Sequence, residues 1–349
     1  MKIIVNARFL CTRATGVQRF AFEISRYLKR LDHSIEFLCP HNIQQDAWAD
    51  ELGAKVIGHF QGHLWEQIDL FRYLKRQPNA ILFSPGNTGP LFVKQQLLVL
   101  HDVAFLTNPQ AFNWKFRLYY RFLIKRLSKN VAKITTVSDF SRQEILSFYP
   151  HVQEKIHVVY NGITRFPRNL SQYVGKPYFL VVGSFDPRKN IPFIIETYRK
   201  LPEENRPRLK IVGGFGKTFK KENFGTIPSD VEFVGQAGDD TLARLYSNAT
   251  ALLFPSIYEG FGLPPVEAMS FGTPCLVSDI PVLHEVLKDA ALFLPINNEE
   301  LWIDALIQIQ QDKELRNSLK ERGLLQSQKF SWEVSANQIY QHLKEIAPQ

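Results

Sequence analysis

The chain has three cysteines, Cys11, Cys39 and Cys275, an odd number and widely scattered. That pattern gives neither a disulfide framework nor the close spacing of metal ligands, so the three read as small thiols in or near a core. Long apolar runs are missing as well: no stretch approaches the 18 or more residues of a membrane-crossing helix. At the N-terminus Asn6 and Arg8 interrupt the run a signal peptide would need, and the expected location is the cytoplasm. Asp239-Asp240 is not a metal-binding DxD motif. One further absence is local, since no Asp or Glu occurs between Asp102 and Asp139. Together these gaps argue against a disulfide-stapled secreted module and a membrane-spanning protein, and they offer no metal centre.

What is present suits a two-domain globular protein. The 349 residues exceed one ordinary core, and 45% hydrophobic with 22% charged residues is a globular composition. The net charge of +8 is uneven: residues 1–170 hold 23 Lys/Arg against 12 Asp/Glu, the remainder 19 against 22. A basic half and a slightly acidic half imply different partners. Much of the excess falls on Asn113 to Lys133, read as one long helix with Lys115, Arg117, Arg121, Lys125, Arg126, Lys129 and Lys133. At about 100° per residue, Phe116, Tyr119, Tyr120, Leu123, Leu127 and Val131 gather on one side, and the basic residues cover the other with Leu118 and Phe122 among them. A basic face carrying isolated apolar side chains suits an anionic membrane surface; a merely solvated face is the plainer alternative. No nucleic-acid recognition motif accompanies the charge.

The most informative stretch runs from Ser256 to Met269, SIYEGFGLPPVEAM. The apolar run Ala249 to Phe254 precedes it as a buried strand. Gly260 and Gly262 permit a sharp turn and close approach to a ligand. Pro264 and Pro265 stand where a helix starts, and Gly272, with Pro274 beyond it, stops that helix. Strand, glycine loop and helix N-terminus together offer free N–H groups to a phosphate. Glu259 in the loop and Glu267 in the first helical turn can each hold two vicinal hydroxyls through charge-assisted bonds. Phosphates between hydroxylated rings describe a nucleotide-sugar. The plainer alternative is an ordinary α/β turn in which Glu267 favours the helix dipole.

Around this stretch the chain keeps an α/β pattern. Ile3–Val5 is a first strand, followed by Gly16 in a loop and a helix through Leu31. Strands are expected at Ile35–Leu38, Lys55–Ile57, Ala80–Phe83, Leu97–Leu100, Ile134–Val137 and Ile156–Tyr160, with a helix around Leu64–Lys75. Ser84 to Pro90, with Asn87 and Thr88, is a loop at a strand's carboxyl end. His101-Asp102 directly follows a buried strand, where packing explains neither side chain because both want partners; Asp102 either fixes a loop or orients the histidine. Ser138 or Asp139 caps a helix ending near Tyr149. Pro167 to Pro177 reads as a linker. Beyond it come strands Tyr178–Val182 and Leu209–Val212, then a solvated loop with Lys217, Lys220 and Lys221. In GSFDPRKN, after Val182, Arg188 and Lys189 can neutralise a departing diphosphate.

Taken in order, these segments resemble the retaining glycosyltransferases of family 4, which have the GT-B fold. Two glutamates eight positions apart around GFGLP, TVSDFSR at 136–142, NGI at 161–163, GSFDPRKN at 183–190 and FSW at 330–332 carry the resemblance, which spans essentially the whole chain. It implies an α/β protein of two Rossmann-like domains facing across a cleft. Residues 1–166 would bind the acceptor, 167–177 link the domains, 178–329 bind the nucleotide-sugar, and a helix in 330–349 pack back on the first domain. The implied reaction moves a hexose from a nucleoside-diphosphate sugar to a saccharide or lipid-linked saccharide with retention of configuration, without a cofactor, a metal or an enzymic nucleophile. Glu259 would contact the sugar hydroxyls, Glu267 the ribose, and His101 the sugar near the scissile bond. Lys189 with the backbone of Gly260, Phe261, Gly262 and Leu263 would hold the diphosphate. Gly16 would lie beside the donor phosphates and the acceptor, Val234 and Leu242 at the nucleobase, and Asn87, Thr88, Asp102 and Ser138 on the acceptor side. Ser184 departs from the pattern, because many members carry Arg directly after that glycine; Arg188 is the available substitute. TGVQRF, SPGNTGP, LHD and GSFDPRKN look most like bacterial mannosyl- and rhamnosyltransferases of surface polysaccharide. GDP-mannose is the first donor expected, with UDP- and dTDP-sugars next. Arg117, Arg121, Lys125 and Lys129 would meet the inner face of the cytoplasmic membrane. Two rival readings are a nucleotide-sugar epimerase of the same fold and a non-catalytic sugar-nucleotide sensor.

Overall fold

A computed structural model describes residues 2–164, 175–204, 206–214 and 227–346. The chain forms two compact units, Met1–Gly162 with Ser331–Gln349, and Ile163–Phe330. Residues 167–174 of the expected linker, and the loop lysines Lys217, Lys220 and Lys221, lie outside the described residues.

The first unit holds seven described strands, β1 (Lys2–Asn6), β2 (Glu36–Cys39), β3 (Lys55–Val56), β4 (Ala80–Ser84), β5 (Gln96–Val99), β6 (Lys133–Thr136) and β7 (Ile156–Val158). They pair in parallel in the order β3-β2-β1-β4-β5-β6-β7. The second unit holds β8 (Tyr178–Val182), β9 (Arg208–Val212), β10 (Val231–Gly235), β11 (Ala251–Phe254), β12 (Cys275–Ser278) and β13 (Leu292–Leu294). Their order is β10-β9-β8-β11-β12-β13, again parallel. Parallel sheets are covered by helices on both faces, so their central strands read as unbroken apolar runs. ALLF in β11 and AILFS in β4 are buried at every position. In the second unit Tyr198 and Trp302 pack with Phe179, Leu209 and Leu253 in one core. All three cysteines are free thiols inside the two units.

Several elements depart from expectation. The helix after β1 spans Gly16–Leu31, so Gly16 is its first residue and not part of the loop. A short helix at Asp46–Leu52 was not anticipated. Residues Gly62–Lys75 are helical, with a π-helical turn at Glu66–Leu70. The basic helix is Trp114–Asn130, ending as Val131 turns extended, and Lys133 begins β6. The terminal helix Trp332–Lys344 packs within the first unit: the Trp332 ring lies 5.9 Å from Phe20, and Ser335 Oγ donates to the Tyr160 carbonyl at 2.6 Å.

Candidate active site

In the second unit the strand order reverses between β8 and β11, and open parallel sheets take ligands at such a point, beyond the carboxyl ends of the strands. The loop after β8 supplies Lys189 and the loop after β11 supplies Glu259. Lys189 Nζ donates to Glu259 Oε1 at 2.5 Å, with the two side chains 20% and 12% exposed. Ile257 N–H donates to the Arg188 carbonyl at 2.8 Å and ties the two loops together. Lys189 Nζ also lies 5.3 Å from the Phe254 ring centre, within cation–π range. Gly213 must be glycine here, because a Cβ would lie 1.8 Å from the Gly183 carbonyl oxygen.

Arg188 sits beside this pair but forks onto Asp186, with Nε and Nη2 at 2.9 and 2.8 Å from its two oxygens. Burial works against the charge on Asp186, yet Arg188 outweighs it and holds the carboxyl below its ordinary range. Arg188 is therefore engaged with a carboxylate rather than pointing its fork toward Lys189. Ser184 is exposed.

Gly262 adopts φ 90°, a left-handed conformation that favours glycine, and the helix Leu263–Ser270 starts directly after it. The prolines occupy its second and third positions, and Glu267 falls in the second turn rather than the first. A dipole role for Glu267 loses force at that distance. Instead its Oε2 accepts from Tyr246 Oη at 2.9 Å. Tyr246 belongs to the helix Asp239–Asn248, which also carries Leu242 in its first turn. Val234 lies on the edge strand β10, with β9 and β8 between it and β11.

In the first unit the reversal lies between β1 and β4. His101, just past β5, is buried: its N–H donates to Asn87 Oδ1 at 2.8 Å and its Nε2 lies 2.9 Å from the Pro85 carbonyl. A carbonyl only accepts, so Nε2 is assigned the proton. Burial pushes the histidine's pKa down, which keeps the ring neutral, and Phe20 meets it edge-on at 4.8 Å. Asp102 Oδ1 accepts from Ala104 N–H at 2.9 Å, the loop-fixing alternative. Ser138 Oγ accepts from Ser141 N–H at 3.0 Å as a helix cap.

Beside these residues stands a buried cluster in which only Thr88 had been expected at the site; the rest the sequence reading missed. The Glu66 carboxylate takes hydrogen bonds from Asn6 Nδ2 at 2.8 Å, Thr88 Oγ1 at 3.0 Å and His63 Nδ1 at 3.0 Å, and pairs with Arg8 Nε at 2.9 Å. Arg8 Nη2 in turn donates to Thr88 Oγ1 at 2.8 Å. Burial alone would raise the pKa of Glu66, but Arg8 and then His63 and Asn6 hold it at about 2. One signal was available. Glu66, Leu70 and Leu74 recur at four-residue spacing, so the acid stands on the buried stripe of its helix.

Residues 14–165 match the family model described as glycosyltransferase family 4, and residues 163–326 match glycosyl transferases group 1. O-antigen chain mannosyltransferase B of Escherichia coli is 31% identical, over 97% of this chain and 98% of that one. The chain belongs to the family 4, group 1 glycosyltransferases. O-antigen chain mannosyltransferase RfbU of Salmonella typhimurium is 35% identical over 66% of this chain and 65% of that one. WaaG, a glycosyltransferase involved in lipopolysaccharide biosynthesis, superimposes with a TM-score of 0.72 at 16% identity, covering 100% of both chains. The architecture of this glycosyltransferase is thus GT-B, with two Rossmann-like units.

The basic helix of the glycosyltransferase corrects a further expectation. It is packed from Tyr120 onward, as expected of that residue, and buries Leu123, Ile124, Leu127 and Ser128. Phe116 and Tyr119, expected on the buried side, are exposed, as are Trp114 at 65%, Leu118 at 64% and Phe122 at 53%. The core beneath receives the helix through Tyr120, Leu123, Ile124, Leu127 and Val131, and Phe116 stacks on Phe112 and Tyr120 with ring centres 5.6 and 4.0 Å apart. Among the described residues, Lys115, Arg117, Arg121, Lys125 and Lys129 enter no ion pair, whereas Lys133 in β6 pairs with Glu345. No described helix is long and apolar enough to cross a membrane. Among the described residues no group of three or more His, Cys, Asp or Glu is placed to hold a metal ion.

Proposed function

We propose that this glycosyltransferase moves mannose from a nucleoside-diphosphate mannose, GDP-mannose first, to a hydroxyl of a saccharide or lipid-linked saccharide in surface-polysaccharide synthesis, with retention of anomeric configuration. The observation that supports this best is the Lys189–Glu259 pair at the switch point of the second sheet, in a chain whose relatives are O-antigen mannosyltransferases. Lys189 and the N–H groups from Gly260 to Leu263 meet the diphosphate, whose charge grows as its bond to the sugar breaks. The diphosphate then replaces Glu259 as the partner of Lys189, leaving that carboxylate to accept from sugar hydroxyls. Glu267 takes the ribose, Val234 and Leu242 flank the base, and the neutral His101 is assigned to the transferred sugar. The acceptor oxygen bonds to the anomeric carbon on the face the diphosphate leaves, and the departing phosphate oxygen takes the acceptor's proton. No metal, cofactor or enzymic nucleophile enters this scheme. Arg117, Arg121, Lys125 and Lys129 hold the basic helix to an anionic membrane surface, with Trp114, Leu118 and Phe122 at the headgroup boundary.

A thermal-shift panel of GDP-, UDP- and dTDP-sugars tests the donor, because a ligand stabilises the fold that binds it. GDP-mannose should give the largest shift; a larger one from a UDP- or dTDP-sugar would replace it as donor. Release of a free sugar epimer from donor alone would turn the reading into an epimerase. Cosedimentation with anionic liposomes should fall when Arg117, Arg121, Lys125 and Lys129 are all changed to Gln, and an unchanged bound fraction removes the membrane role.

A further inference from the structure

A groove of about 450 Å³ opens along the outer edge of the first sheet, a size within the roughly 300–1,000 Å³ of ligand-binding clefts. The edge strand β7 lines it with His157, the terminal helix with Gln338, Gln341 and His342, and the helix Asp139–Phe148 with Arg142. All of them belong to the first unit, and none is a donor, acceptor or membrane residue of the proposed reaction. The His157 and His342 rings stack with centres 4.5 Å apart and planes at 23°. His342 Nδ1 is enclosed without a hydrogen bond; Glu345 Oε2 lies 3.6 Å from it and is taken by Lys133 Nζ. Arg142 reaches Asp139 only at 3.4 Å, with both side chains partly exposed, so its fork is available to a ligand.

The charges around the stacked rings decide what that ligand is. Burial first, then His342, Lys133 and Arg142, hold the His157 imidazole below the ordinary histidine range, against the pull of Glu345. Burial and Lys133 do the same for His342. Two imidazolium rings stacked at this distance, beside Lys133 and Arg142, repel one another. A ligand carrying two negative charges removes that repulsion, whereas a single carboxylate offsets only one of the new charges. A phosphate monoester brings about −1.5 to −2 charge and three acceptor oxygens, which suit a guanidinium fork, ring N–H groups and primary amides.

We propose that this groove binds the dianionic phosphate of a phosphate monoester, with Arg142 giving its fork and His157 and His342 each taking a proton as the anion enters. The protons come from solvent and no covalent bond changes. With His157 on β7 and His342 on the terminal helix, the bound anion ties that helix to the edge of the sheet.

NMR of the full chain labelled at histidine Cε1 tests this with methyl phosphate, dimethyl phosphate and sulfate, at equal ionic strength made up with chloride. Nine histidines contribute signals, and His157→Asn and His342→Gln assign the two that matter. Methyl phosphate and sulfate should move both signals, and dimethyl phosphate, with one charge, should bind about tenfold weaker or worse. Sulfate keeps two charges throughout, so its affinity reports the protein's own protons; it should rise about tenfold or more from pH 8 to pH 6. Calorimetry in buffers of different ionisation heat should show proton uptake on binding. Arg142→Gln, at a part-exposed helix position, should weaken methyl phosphate about tenfold. If His342→Gln loosens the terminal helix, Arg142→Gln still decides. The proposal falls if neither histidine signal responds to methyl phosphate, if sulfate affinity is independent of pH, or if Arg142→Gln binds like the wild type. Vesicles separate the two sources of such a phosphate. With Arg117, Arg121, Lys125 and Lys129 changed to Gln, cosedimentation with phosphatidic acid vesicles that falls on adding Arg142→Gln identifies a lipid headgroup. Methyl phosphate binding without vesicle binding identifies a soluble phosphate.

Discussion

Both sheets reverse their strand order, and each reversal carries a carboxylate beside a cation, yet the two pairs differ in kind. Glu66 in the first unit is enclosed and engaged by four side chains. Glu259 in the second unit keeps some exposure and is bonded to Lys189. A carboxylate with three hydrogen-bond donors and a paired guanidinium cannot exchange one for a ligand without leaving others strained or unpaired, and buried unpaired groups are costly. A carboxylate with one donor at a solvent-reached position exchanges it at little cost. The first pair is suited to holding a shape, the second to trading partners when substrate arrives.

The largest expected effect tests the first half of that contrast. Glu66→Gln leaves Arg8 buried without its counter-charge and should destabilise the fold by about 3–5 kcal/mol. The folded-state pKa of Glu66, about 2, lies below its ordinary value of 4.5. Its contribution is therefore complete above about pH 4.5 and is lost as pH falls toward 2. Urea midpoints should show the full gap between wild type and variant at pH 6, shrinking through that acid window. A gap that stays constant down to pH 2.5 would mean that the ionised carboxylate is not what stabilises the unit.

Next comes Glu259→Ala. Transfer to acceptor should drop by about 10²–10³-fold, the size seen when one group aimed at developing charge is removed. Nucleotide affinity should change by less than about threefold, because Lys189 and the loop N–H groups remain. Single-turnover transfer and a nucleotide titration separate the two quantities. If stability fell as far as for Glu66→Gln, Glu259 would be a structural residue and the contrast between the two units would vanish.

How much of this was legible in the sequence depends on how far a residue's meaning is local. Lys189 and Glu259 each follow an apolar run that becomes a central strand, so a loop at the carboxyl end of a sheet could be read for each. The strands themselves were readable because burial on both faces leaves runs such as YFLVV and ALLF. Arg8 and Glu66 lie 58 positions apart, and only the adjacency of β1 and β4 brings Thr88 and the helix carrying Glu66 against Arg8. DAWADEL at 46–52 is only seven residues long, too short for its apolar spacing to announce a helix. The wheel of the basic helix placed Tyr120, Leu123, Leu127 and Val131 correctly on the packed side, but not that Phe116 and Tyr119 stay exposed. Gly262, by turning left-handed, moved the helix start ahead of the prolines and Glu267 into the second turn, a shift that no spacing in the sequence dictates.

The smallest effect probes a case between the two. Glu267 has a protein donor, Tyr246, yet stands on the helix that follows the glycine loop. If it also serves the ribose, Glu267→Gln keeps an oxygen for Tyr246 but loses the charge that strengthens a bond from a ribose hydroxyl. A charge-assisted bond replaced by a neutral one loses about 1 kcal/mol, or roughly fivefold in nucleotide affinity. Calorimetric titration with the nucleoside diphosphate and with its 2′-deoxy form tests this: the wild type should discriminate between them and the variant should discriminate less. Equal loss for both forms would place Glu267 with Glu66, as a residue that acts through Tyr246 on the packing of two helices and not on the ligand.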